Sequence, residues 1–139
     1  MMLLAEGREW LGTPWRHQAS AKGVGADCIG FIAGVASACG STEAARFLST
    51  PEWRRYGREP SPEFMFSVCD ELMDRIPIAD ARVGDVLVFT CGKHPMHFGL
   101  VAGETMLHSW LVARRVVEHR IDDDWRSRIV RAYRLRGFA

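Results

Sequence analysis

An α+β fold is predicted, with N-terminal helices packed on a C-terminal antiparallel β-sheet of about five strands. Three observations predict it. Apolar residues recur at helical spacing only before Pro77, and short β-rich segments separated by turn residues fill the chain after it. Helices thus precede a meander of strands, the order typical of α+β proteins. The 139 residues suffice for one domain with a real core and are too few for two, so residues 1–139 are read as a single unit.

Leu3, Leu4, Gly7, Trp10 and Leu11 fit a first helix, which "GTP" at 12–14 stops. Residues 15–26 hold Gly23 and Gly25 among polar residues and read as a loop. From Asp27, Cys28, Phe31, Ile32, Val35 and Cys39 recur at helical spacing, and Gly40 is a C-terminal stop. Residues 41–60 mix Trp53 and Tyr56 with charges and read as an irregular excursion. Ser61 as N-cap and Pro62 at the first helical position open another helix, with Met65, Val68, Leu72 and Met73 on its apolar face. Strands are then expected over 84–90, 97–103, 105–110, 112–119 and 129–136, with Cys91 to Pro95 forming a hairpin turn.

Composition narrows the function classes. Hydrophobic residues make up 47% and charged residues 25%, a globular balance. A net charge of +1 excludes a dominant electrostatic affinity for nucleic acid; the arginines at 126, 128, 131, 134 and 136 are explained by a solvated strand face. No run approaches the roughly 18 apolar residues of a membrane span. The first residues, "MMLLAEGREWLG", form a short amphipathic helix rather than a signal peptide, so the chain is expected to be made in the cytoplasm. Four widely spaced cysteines, Cys28, Cys39, Cys69 and Cys91, point to free thiols.

Cys28 carries the chemical question. It falls in the first turn of the helix over 27–40, where unsatisfied amides and the helix dipole favour a thiolate and could hold a developing oxyanion. It also shares a stripe with Phe31 and Val35, as a buried core cysteine would. Asp27 is equally a helix N-cap. His97 opens an apolar strand and His108 lies eleven positions later on the next, so a hairpin between them brings the two rings together. A base oriented by a second polar group is the general triad arrangement. A rival reading is zinc, with Cys91, His94, His97 and His108 spelling C-x2-H-x2-H-x10-H; the apolar strands need no metal to build a core.

"GTPWRHQASAKGVGADCIGF", then "GDVLVF", "HFGLVAG" and "MLHSW", resemble the NlpC/P60 cysteine peptidases in order and spacing. The likeness extends to the phage-type branch of cell-wall peptidases, found in tail modules and gene-transfer-agent clusters, through the "HQAS…GVG" loop and the tail "VVEHRI…W…RIVRAYR". The resemblance implies a papain-like core with Cys28 as nucleophile, His97 as general base and His108 as the orienting residue. It implies hydrolysis of amide bonds in peptidoglycan stem peptides, often beside γ-D-glutamate, without metal or cofactor, and phage-tail-like proteins as partners. Delivery to the cell wall would then fall to a phage-like particle or to lysis. Two positions depart from the family. Trp15 replaces a tyrosine whose hydroxyl lies near the cysteine, leaving its role to a neighbour such as His17 or Gln18, and Gln18 is also a candidate oxyanion donor. Ile29 follows the cysteine where most members carry serine or arginine, which removes a polar group from the substrate side. The alternative function is a tail-assembly or binding module that keeps the fold without cleaving.

Overall fold

The computed structural model describes residues 1–91 and 94–138, with backbone alone at 94 and 95; the turn expected over 91–95 lies partly outside the described residues. Helix α1 (Met2–Glu9) buries Leu3, Leu4 and Gly7, and the chain leaves it through Gly12, whose positive φ of 84° suits glycine. The stretch read as a loop contains a two-stranded ribbon, β1 (Ser20–Ala21) and β2 (Gly25–Ala26). Helix α2 (Cys28–Ala38) starts where the Asp27 carboxylate accepts the Gly30 N–H at 2.8 Å. Every residue from 29 to 36 is buried, so α2 is a central helix wrapped on all sides.

Two elements correct the sequence reading. Residues 41–54 are not irregular, although 55–60 hold no helix or strand: helix α3 (Thr42–Ser49) is capped by Ser41 and buries Ala44 and Phe47, and a 3₁₀ turn at Pro51–Arg54 buries Trp53. Helix α4 (Pro62–Leu72) runs without a linker into β3 (Met73–Ile76), so Met73 belongs to a strand rather than to the helix face.

The main sheet is antiparallel, in the order β3-β8-β4-β5-β6-β7. Its other strands are β4 (Val86–Cys91), β5 (His94–Val101), β6 (Thr105–Trp110), β7 (Arg115–Arg120) and β8 (Ile129–Leu135). The five expected strands are present, and β3 makes a sixth at one edge. Alternation splits the core. Val88, Phe98, Leu100, Leu107 and Tyr133 face the side that packs on α2, while Phe89, Val101 and Met106 face Trp125 of the one-turn helix α5 (Asp123–Arg126). Residues 12–16 run along the free edge of β7: Gly12 N–H donates to the Val116 carbonyl (3.0 Å), Val116 N–H to that of Thr13 (2.9 Å), and Trp15 N–H to that of Arg114 (2.9 Å).

Arg128, Arg131, Arg134 and Arg136 are engaged rather than merely solvated. Arg136 pairs with Glu43 and Asp74, Arg128 with Asp124, and Arg131 lies over the Phe66 ring. Arg134 grips buried Asp85 through Nε (2.9 Å) and Nη2 (2.8 Å), and Asp85 also accepts the Arg82 N–H (2.9 Å). Asp85→Ala is expected to destabilise the fold by about 3 kcal/mol, at the low end for a broken buried pair because Arg134 keeps contact with water. Chemical denaturation of the two proteins checks this. All four cysteines are free, and no helix among the described residues is long and apolar enough to cross a membrane.

Candidate active site

Cys28 is the first residue of α2, and its Sγ meets the backbone N–H groups of Ile29 and of Phe98 on β5. The thiol therefore sits where the start of α2 touches β5, the strand that carries His97. Cys28 and His97 line one cleft of about 310 Å³, walled chiefly by Trp15, His17, Tyr56 and Trp110. The cleft is mostly apolar and its reactive groups are few, as expected of a small-ligand or peptide site.

Behind the cleft stands a column of imidazoles. His97 Nε2 is hydrogen-bonded to His108 Nδ1, and His108 Nε2 lies 2.7 Å from His119 Nε2. His119 Nδ1 lies 2.9 Å from the Arg120 carbonyl oxygen. The three rings come from β5, β6 and β7. His119 faces Met106 across β6–β7, one diagonal from His108, a separation that rings can bridge. Trp125 packs against all three.

Electrostatics correct one expectation. Burial pushes the Cys28 thiol well up, reinforced by the neighbouring Asp27 carboxylate, and the two backbone N–H groups only partly offset this. The resting thiol is neutral, not the thiolate that the helix start alone suggests. Burial also lowers His97 to about 4, with His119 adding to it, and lowers His108 to about 2, with His97 and His119 adding. Both rings are neutral in the fold but protonate near 6.5 once unfolded. Unfolding therefore takes up protons as pH falls below 6.5, and stability drops from there toward pH 4; above 6.5 the contribution is flat. His97 alone is expected to remove about 3 kcal/mol over that window. Thermal melts from neutral pH down to about 4.5 should show the decline, and a flat melting temperature would contradict it.

The residues singled out from the sequence divide clearly. Trp15, His17, Asp27, Cys28, Ile29 and His97 line the cleft, and His108 supports it from behind. Ile29 is also a core residue, 1% exposed, so an apolar side chain at this position serves packing. Asp27 caps α2 and accepts the Gln18 N–H (2.8 Å) and the Tyr56 hydroxyl. Gln18 does not line the cleft. Its side-chain amide donates to the Tyr56 carbonyl at 2.7 Å, so its place as an oxyanion donor is not supported by its position. No three or more His, Cys, Asp or Glu side chains among the described residues are arranged to hold a metal ion, and the zinc set includes His94, whose side chain lies outside them.

Two residues were missed. Tyr56, from the segment read as irregular, lines the cleft and donates its hydroxyl to Asp27. His119 extends the imidazole column; its signal was a repeat of the spacing, since residues 97, 108 and 119 are each eleven apart.

A thiol at a buried helix start beside histidines on an antiparallel sheet defines the papain-like class of α+β proteins. The chain belongs to the NlpC/P60 family, whose model matches residues 12–134. Its fold is similar to that of an NlpC/P60 family protein from Bacillus cereus (20% identity, TM-score 0.67), covering 96% of this chain and 39% of that one. The chain thus spans about two fifths of that protein's length. It is also similar to the NlpC/p60 domain of the peptidoglycan hydrolase SagA (18% identity, TM-score 0.59, 96% and 97% covered). RipD from Mycobacterium tuberculosis, a non-catalytic NlpC/p60 domain protein adapted to peptidoglycan binding, is similar at 15% identity and TM-score 0.59, with 99% and 95% covered. No curated protein matches the chain.

Proposed function

We propose that this chain is a cysteine peptidase that hydrolyses amide bonds in peptidoglycan stem peptides. The observation that carries the reading is the shared cleft: Cys28 at the start of α2 and His97, backed by His108, open onto the same space. Because thiol and imidazole are both neutral at rest, the proton moves as the bond forms. Cys28 Sγ gives its proton to His97 while attacking the scissile carbonyl carbon, and N–H groups beside the thiol stabilise the oxyanion. His97 then protonates the leaving amine nitrogen, which departs as the C–N bond breaks and leaves a thioester on Sγ. Water, deprotonated by His97, hydrolyses the thioester and restores the thiol. The sequence resemblance supports a bond beside γ-D-glutamate and work in the setting of a phage-like particle.

A second reading is peptidoglycan binding without cleavage, favoured by the likeness to RipD, a non-catalytic protein that shares the fold. Digestion of purified muropeptides followed by mass spectrometry separates the two. New fragments differing by one water support hydrolysis and identify the bond. Intact muropeptides retained by the protein support binding alone.

A further inference from the structure

We propose that His119 is a positioning residue of this site, which through His108 holds His97 in the tautomer whose Nδ1 carries a free lone pair. The inference rests on the proposed hydrolysis only for its catalytic consequence. The geometry itself is a proton count. A carbonyl oxygen only accepts, so the 2.9 Å contact to Arg120 requires the proton of neutral His119 to sit on Nδ1. His119 Nε2 is then an acceptor, and the 2.7 Å contact requires the His108 proton on Nε2. His108 Nδ1 is left to accept, so the His97 proton must be on Nε2. Three neutral rings carry three protons for three hydrogen bonds, and the one unoccupied nitrogen is His97 Nδ1. A backbone carbonyl two rings away thus selects the form of His97 that can act as a base.

The same column carries the proton once it is taken. When His97 Nδ1 accepts the thiol proton, the Nε2 proton of His97 can pass to His108 Nδ1, and the Nε2 proton of His108 to His119 Nε2. Four protons then lie on three rings, and the positive charge rests on His119, the half-buried member, instead of on the two buried ones. His119 is faced by His108 and the indole of Trp110 on β6 and by Trp125 on α5, while Glu118 beside it on β7 is engaged by Arg8 and Thr105.

Long-range proton–nitrogen correlation spectra of the imidazoles in nitrogen-15-labelled protein test the tautomers directly, at about pH 7.5, above the range in which an ordinary imidazole is charged. In the wild type, His97 and His108 should be protonated on Nε2 and His119 on Nδ1. His119→Phe keeps an aromatic ring against Trp125 but removes the acceptor, so His97 should become a mixture of tautomers. His119→Gln restores a side-chain carbonyl acceptor and should return His97 to the Nε2–H form. In turnover, His119→Phe should lower kcat by roughly tenfold or more with KM little changed, the scale seen when a histidine loses its outer hydrogen-bond partner, and Gln should recover most of it. An unchanged His97 spectrum in His119→Phe, or a wild-type His97 protonated on Nδ1, overturns the proposal. A wild type that shows the tautomers but leaves muropeptides intact removes the proposed function and leaves the positioning role standing.

Discussion

Cys28→Ala is expected to lower peptidoglycan-peptide turnover by about 1,000-fold or more, the scale of removing a covalent nucleophile from a cooperating set. The substitution deletes one atom at a site where the backbone is held by other groups. Asp27 still caps α2 through Gly30, and Phe98 stays in the β4–β5 ladder. The melting temperature should therefore stay close to that of the wild type, and muropeptides should still bind in the cleft. Fragment release followed by mass spectrometry checks the loss, and calorimetry of the uncleaved complex checks the binding. Turnover equal to that of the wild type would remove Cys28 from the chemistry.

The largest effect on stability is expected from Gly30→Ala, two residues beyond the thiol. A Cβ at this position would lie 1.8 Å from the Ala19 carbonyl oxygen and 2.8 Å from its carbon. Both are backbone atoms, so no rotamer change relieves the overlap. That carbonyl is itself held, because it accepts the Asp27 N–H at 3.2 Å, and Ser20 Oγ donates to the Gly30 carbonyl at 2.7 Å. Either the segment around residue 19 or the start of α2 must move, and both moves strip partners from Asp27. We expect a loss of more than about 4 kcal/mol, in the range that marks a specific structural failure. Denaturant unfolding or, if the variant does not accumulate, soluble yield gives the result. A variant with wild-type stability would contradict the close approach.

What was readable in the sequence followed from how much apolar surface each element buries. Helix α2 and strands β4, β5 and β6 are apolar enough for periodicity to expose them. Helix α3 buries only Ala44 and Phe47, too few positions to stand out from the charges around them. Strand β3 was absorbed into α4 because Leu72 and Met73 continue an apolar run and no glycine or proline separates helix from strand. The site was legible in the same graded way. Cys28 and His97 sit at element starts with recognisable flanks, and one hairpin brings His108 to His97. Tyr56 reaches Asp27 across 29 residues through tertiary packing of α3 and the 3₁₀ turn, a placement no local pattern encodes. The neutral state of Cys28 was equally hidden, since it depends on burial that a helical stripe does not measure.

The strip of chain over residues 12–16 has a further consequence. It occupies the outer N–H and carbonyl of Val116 on β7 and the carbonyl of Arg114 just before it, at a sheet edge where open groups can recruit another chain. The same strip places Trp15 in the cleft wall. Peeling this strip away is therefore expected to disturb the cleft wall at Trp15 and to bare Val116 at the sheet edge together.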